Sequence, residues 1–137
     1  MTRKSFYTLS FTWGLPLTLI GAFVALFLII TGHKPYLWNG CLCFELGKTR
    51  WGGLNLGPVI LCQKGASDRL KAHELGHAIQ NCYLGPIILL LVFCSAARYH
   101  YITWLERHGK PVPEYDSWWF EGQATAIGTE IINKNNN

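Results

Sequence analysis

The chain has 137 residues, which is enough for one domain and little more. Half of its residues are hydrophobic and 15% are charged, whereas soluble globular proteins carry roughly 25% charged residues. The composition therefore favours a protein embedded in the lipid bilayer, and the net charge of +4 suits contact with anionic headgroups. The basic residues are scattered and form no patch or stripe, which excludes nucleic acid as a partner.

The first predicted element is a transmembrane helix over residues 9–31. No residue from Ser5 to Gly32 is charged, and Leu15–Ile30 is almost continuously apolar. A bilayer core of about 30 Å needs roughly 20 helical residues, and this segment supplies them. The apolar run is also longer than that of a cleavable signal peptide.

Residues 33–66 are predicted to form a β-hairpin or a small three-stranded sheet. Glycine, asparagine and proline separate short apolar runs at 41–46 and 54–56. A further strand is expected at 59–62. Pro58 implies that this strand either lies at an edge of the sheet or starts after the proline.

A helix is predicted over residues 68–84. Ser67 can cap its first turn, and Asp68 supplies an acid there. The Gly-Pro pair at 85–86 is expected to end or kink this helix. The apolar run at 87–97 that follows is too short to cross a bilayer alone, so it is predicted as part of a second, membrane-inserted helix.

The last predicted helix begins near residues 116–117 and ends near Ile132, and the tail at 133–137 is expected to be disordered. If the segment 86–107 spanned the membrane fully, the last helix would emerge on the face opposite the helix at 68–84. Either that segment turns back, or the last helix dips into the membrane. The predicted fold is therefore a single, mainly α, membrane-embedded domain over residues 1–132 with a small sheet.

Five cysteines, an odd number, stand at positions 41, 43, 62, 82 and 94. Free thiols are more stable in a reducing compartment, so the cysteines favour an active site on the cytoplasmic face of the membrane. The alternative is that they serve as small buried apolar side chains. The basic residues on either side of the first helix do not assign a face.

Residues 73–77 read His-Glu-Leu-Gly-His, the pattern HExxH. On a helix, residues four apart lie on one face about 6 Å apart, so His73 and His77 can bind one zinc ion at about 2.0–2.1 Å each. Glu74 then lies beside the metal and can take a proton from the attacking water as the general base of a hydrolysis.

A catalytic zinc needs a third protein ligand and an open position. Glu121 is the favoured ligand, because small residues follow it and would let its helix approach closely. Thr125, one turn later, is expected to hydrogen-bond a ligand, and Asp116 is a second candidate for this supporting role. The other possible third ligands are the remaining polar side chains of suitable type: Asp116, His33, His100 and His108.

These residues resemble the zincin metallopeptidases of the gluzincin type. In that family, HExxH on one helix is completed by a glutamate on a later helix, so the resemblance implies His73, His77 and Glu121 as the zinc ligands and Glu74 as the base. Thr125 stands where gluzincins usually carry an aspartate.

Most of the chain is also similar to a family of small bacterial membrane proteins of metallopeptidase type. The similarity lies in four stretches of sequence: 14–16 (GLP), 51–57 (WGGLNLG), 73–86 (HELGHAIQNCYLGP) and 115–125 (YDSWWFEGQAT). The resemblance implies a bacterial cytoplasmic membrane as the location.

The sequence thus predicts a membrane zinc metallopeptidase with one zinc per chain, hydrolysing a peptide or a membrane protein at or near the membrane face. Two alternatives stay open: a non-catalytic zinc-stabilised subunit, immunity or adaptor factor, and an adaptor that binds no metal. The glycine-rich region at 40–57 is expected either to offer an edge strand to an extended substrate or to cover the site. Candidates to stabilise an oxyanion are Tyr83, Tyr115, His100 and His108.

Overall fold

The computed structural model describes residues 1–47 and 51–135, which are mainly helical with one small sheet, as predicted. The helices are α1 (Arg3–Ser10), α2 (Leu15–Ile30), α3 (Asp68–Leu84), α4 (Ile88–Arg107) and α5 (Trp119–Asn135). The strands are β1 (Tyr36–Trp38), β2 (Cys41–Leu46), β3 (Gly53–Leu56) and β4 (Val59–Gln63). Short 3-10 turns at Gly85–Ile87 and Tyr115–Ser117 precede α4 and α5.

The prediction of one continuous helix over 9–31 is wrong, because the chain bends by 92° between α1 and α2. Pro16, near the start of α2, has no N–H with which to continue a preceding helix. Gly14 lies against α3, where its carbonyl oxygen accepts a 3.2 Å hydrogen bond from Asn81 Nδ2. At this bend, the Thr18 hydroxyl donates a 2.7 Å hydrogen bond to the carbonyl oxygen of Ser10, the last residue of α1. The 16 residues of α2 rise only about 24 Å, which is less than the thickness of a bilayer core.

The sheet has four strands in the order β1-β2-β4-β3, of which β1 was not among the predicted runs. The β2–β4 pair is parallel and the other two pairs are antiparallel. Because β4 pairs on both sides, the expectation that it lies at an edge is wrong, and the alternative that it starts after Pro58 is correct. Ile60 and Cys62 of β4 have no exposed surface, as befits a central strand. The outer strand on this side is β3.

Helices α3 and α5 pack antiparallel through small residues one turn apart. A Cβ atom on Gly76 would overlap the carbonyl oxygen of Ala124, and one on Gly128 would overlap the carbonyl oxygen of Ala72. Small residues at such positions let two helix backbones come into direct contact. The contact holds α5 against the middle of α3, at Ala72 and Gly76.

Gly85 reverses the chain between α3 and α4. Its φ of 55° is in the region that favours glycine, and a Cβ atom there would overlap the indole of Trp13. The stretch Asp68–Arg107 is long and apolar enough to cross a membrane, but it is not one straight rod. Both His77 and Ser95 contact Glu121, whereas residues 77 and 95 would lie about 27 Å apart on a straight helix. Of the two predicted solutions, the structure adopts the one in which this segment turns back.

The loop after α4 returns alongside that helix and delivers α5 to the same region. Arg98 of α4 holds it, donating to the carbonyl oxygens of Glu114 and Tyr115 at 3.0 and 2.9 Å. Helix α5 then continues through residues 133–135, which were predicted to be disordered. An ion pair of 2.5 Å between Lys134 and Glu130 joins this last turn to the one before it. The final two residues, like residues 48–50 of the predicted loop before β3, lie outside the described part of the chain.

Candidate metal centre

The two histidines of the HExxH motif lie on one face of α3, as the helical spacing requires. Their Nε2 atoms are 3.2 Å apart, and their rings meet edge to face with centroids 4.7 Å apart. Glu121 of α5 reaches the same point, with its Oε2 atom 3.1 Å from the Nε2 atom of each histidine. The close packing of α3 and α5 brings Glu121 here, one turn before Ala124.

The three donor atoms match the shape of a metal site. A tetrahedral zinc with bonds of about 2.0–2.1 Å has ligand atoms about 3.3 Å apart, close to the edges of 3.1–3.2 Å in this triangle. Two imidazole nitrogens and one carboxylate oxygen suit zinc and several other divalent ions. Among the described residues, His73, His77 and Glu121 form the group that could hold a metal ion.

The other candidates for the third ligand lie apart from this triangle. Asp116 accepts a hydrogen bond from the Thr125 hydroxyl at 3.1 Å. His33 and His108 contact a hydroxyl and a carbonyl oxygen at the ends of α2 and α4. His100 lines the neighbouring cavity but does not belong to the three-residue group.

Each member of the triangle contacts its own polar partner on the side away from the other two. His73 Nδ1 lies 2.8 Å from Thr125 Oγ1, and His77 Nδ1 lies 2.8 Å from Gln80 Oε1. Ser95 of α4 donates a short hydrogen bond to Glu121 Oε1. Thr125 was predicted to hydrogen-bond a ligand in this way, and its hydroxyl also donates a hydrogen bond to Asp116. Gln80 and Ser95 were not predicted. The sequence features that could have indicated them are an amide one turn after the motif and a single hydroxyl within an apolar run.

Glu121 is a fully buried carboxylate that keeps its negative charge. Burial alone would raise its pKa, but hydrogen bonds from His73 and His77 outweigh this effect and hold the pKa well below its usual range. An ionised carboxylate next to two imidazoles is in the form that can ligate a cation.

Glu74 borders an open cavity beside the triangle. Its side chain packs against Gly53 of β3, where a Cβ atom would overlap the carboxylate, so a larger residue there would displace the Glu74 carboxylate. The cavity has a volume of about 330 Å³. Its walls come from β3, α3, α4 and the starts of α2 and α5. They are largely apolar: Leu17, Leu54, Leu70, Ile88, Val92, Ala96 and Phe120.

Two of the four candidate oxyanion donors line this cavity. The ring of Tyr115 lies 6.1 Å from that of His73, and His100 lies on the α4 wall. Partial burial and the nearby charge of Glu121 raise the pKa of Tyr115 to about 12, so its hydroxyl remains a proton donor at neutral pH. Tyr83 and His108 do not line the cavity.

Comparison of the chain with protein-family models, with curated proteins and with solved structures finds no match. The metal centre is therefore defined by the geometry of this chain alone, in which two helices bring two imidazoles and a carboxylate to one point.

Proposed function

We propose that this chain is a membrane-embedded zinc metallopeptidase that hydrolyses peptide bonds at or near the membrane face. The observation that carries the proposal is the triangle of His73, His77 and Glu121 donor atoms, 3.1–3.2 Å on each side, with Glu74 on the wall of the adjoining cavity. The combination is the one implied by the resemblance to gluzincins.

In the proposed reaction, His73, His77 and Glu121 hold the zinc ion. When bound, zinc polarises a carbonyl group and makes water easier to deprotonate at neutral pH. Glu74 accepts the proton of the attacking water and delivers it to the leaving amine. Tyr115 and His100 line the same cavity and would donate hydrogen bonds to the oxygen on which negative charge develops.

Two features of the cavity support a peptide substrate. Residues 51–55, in and just before β3, line the cavity, and β3 is the outer strand of the sheet on that side. An outer strand has backbone groups that can pair with an extended peptide. The apolar side chains on the other walls favour an apolar residue next to the cleaved bond.

The outer surface supports a membrane location. Large apolar side chains of α2 and α4 are exposed: Phe23 by 72%, Ile30 by 75% and Phe93 by 74%. Exposed large apolar side chains recur along the whole of α2, a pattern that is uncommon on soluble monomers. By length and composition the stretch Asp68–Arg107 passes as a membrane span, although it turns back at Gly85. The free cysteines favour the cytoplasmic face of a bacterial membrane for the site.

A structural zinc is the second candidate function. Ser95 of α4 donates to Glu121, so a metal held by the triangle would connect α3 and α5 directly and α4 through Ser95. In this alternative the protein is a non-catalytic subunit, immunity or adaptor factor, and removing the metal would unfold it without loss of any activity.

The deciding experiment compares the wild type with Glu74→Gln in detergent and in liposomes, using a mixture of apolar peptides read by mass spectrometry. Cleavage by the wild type and its loss by at least about 100-fold in Glu74→Gln, with zinc retained, are expected for a general base. Glu106→Gln on the exposed end of α4 is the matched control and should cleave normally. Cleavage by Glu74→Gln at the wild-type rate would contradict the proposed role of Glu74 as the general base.

A further inference from the structure

Gln80 is a buried amide that connects the two helices of the metal centre. It is 1% exposed and lies one turn after His77 on α3. Its Oε1 atom is 2.8 Å from His77 Nδ1. Its Nε2 atom is 2.9 Å from the carbonyl oxygen of Phe120 and 2.9 Å from Gln123 Oε1. Phe120 directly precedes Glu121, so the amide contacts one ligand and the turn that carries another.

These partners determine which way the amide points. A backbone carbonyl can only accept a hydrogen bond, so the atom of Gln80 that faces Phe120 must be the NH₂ group. The amide oxygen therefore faces His77, and an oxygen acceptor requires the proton of that imidazole to be on Nδ1. The Nε2 atom of His77 is then the one that faces the Glu121 carboxylate, and its lone pair becomes available to a metal there once any proton on it is released.

The same reasoning applies to His73 through a different partner. The hydroxyl of Thr125 has one proton, which it donates to Asp116, so its oxygen accepts from His73 Nδ1. Both imidazoles thus keep a proton on Nδ1, which leaves Nε2 as the nitrogen that can bind a metal. His73 is held by the Thr125 hydroxyl, which in turn donates to the Asp116 carboxylate. His77 is held by the amide of Gln80.

We infer that Gln80 is a positioning residue of the metal centre: its oxygen fixes the tautomer and orientation of His77, and its NH₂ group fixes the α5 turn that presents Glu121. The inference rests on the metal binding in the proposed function. Partners of this kind typically contribute a factor of about 10–100 to metal affinity.

Three variants separate the two halves of the amide. Gln80→Leu removes both halves, and we expect its zinc dissociation constant to rise by about 10–100-fold. Gln80→Glu keeps an acceptor for His77 but loses the donors to α5, so it should bind zinc more tightly than Gln80→Leu although it unfolds at a lower temperature than the wild type. Gln123→Leu removes only the exposed partner of the amide and should bind zinc like the wild type.

The experiment measures zinc affinity by competition with a chelator, together with the proton position on His77 by nitrogen NMR of the metal-free protein labelled at histidine. A proton on Nδ1 of His77 in the wild type, lost from that position in Gln80→Leu along with zinc affinity, is the expected result. A wild-type His77 that carries no proton on Nδ1, or wild-type zinc affinity in Gln80→Leu, would overturn the inference.

Two further outcomes remain decisive. If Gln80→Leu does not fold, the affinity of Gln80→Glu decides: a value within about tenfold of the wild type supports the role of the oxygen, and complete loss of zinc binding overturns it. If the wild type binds no zinc, the proposed function fails, whereas the NMR measurement still tests whether Gln80 sets the tautomer of His77.

Discussion

The junction of α3 and α5 is buried and polar. The outward faces of α2 and α4, in contrast, are exposed and apolar. At the junction, Gln80 and Glu121 are polar and at most 1% exposed. On the outward faces, Ile30 and Phe93 are apolar and about three-quarters exposed. Soluble proteins place most polar residues outside and most apolar residues inside. The comparison shows a polar interior around Glu121 and an apolar outer surface on α2 and α4, and it supports the proposal that this outer surface contacts lipid.

The largest effect is expected from placing a charge on the outward face of α4. Phe93→Asp should destabilise insertion into a bilayer by about 3 kcal/mol, because aspartate is far less favourable than phenylalanine in a membrane helix. Extraction from liposomes by alkali measures the effect. Val112→Asp, in the loop after α4, is the control and should behave like the wild type. Equal extraction of the two variants would contradict the proposal that this face of α4 contacts lipid.

The next effect tests the close contact at the junction. Gly128→Val should lower the free energy of unfolding by about 2–3 kcal/mol, because a side chain there would overlap the backbone of α3. Zinc binding should weaken as Glu121 moves away from the histidines. Thermal unfolding and chelator competition check both effects, and Ala126→Val, exposed on the same helix, should change neither. Wild-type unfolding and zinc binding in Gly128→Val would show that the helices do not need this contact.

A smaller change tests how β3 supports the general base. Gly53→Ala should lower the rate of peptide cleavage by about 10–100-fold, since its Cβ atom would overlap the Glu74 carboxylate and misplaced catalytic groups lose about this much. Zinc content should stay at the wild-type level, which serves as the internal control. Loss of zinc together with activity would instead place Gly53 in support of the metal ligands.

The smallest expected effect concerns the partner of His73. Thr125→Val removes the hydroxyl between His73 and Asp116 and should weaken zinc binding by about tenfold. Thr129→Val, one turn along α5, is the matched control, because within the described part of the chain that hydroxyl bonds to a backbone carbonyl of its own helix. Equal zinc affinity in the two variants would show that the Thr125 contact does not support the metal.

The sequence predicted those parts of the molecule that depend on local spacing. HExxH places His73 and His77 on one face of any helix, and the cap at Ser67 marks where that helix begins. Glu121 could be selected because small residues follow it, and Gly128 and Ala124 do make the close contact with α3. In these cases helix geometry alone relates the pattern to the structure.

The remaining features depend on contacts between distant segments. Hydropathy alone indicated one helix over 9–31, since it does not register the bend at which Gly14 packs on Asn81. The interior position of β4 depends on strand order, which a run of apolar residues does not specify. Ser95 reaches Glu121 only because Gly85 reverses the chain between α3 and α4, so no spacing within the sequence marks it.

The most direct test of the account is elemental analysis of the purified protein in detergent, for the wild type, His77→Ala, Glu121→Ala and the control Glu130→Ala. About one zinc per chain is expected in the wild type and the control, and almost none in the two ligand variants, because each removes one of three protein ligands. Absence of metal from the wild type, or zinc retained in both ligand variants, would contradict the proposed centre.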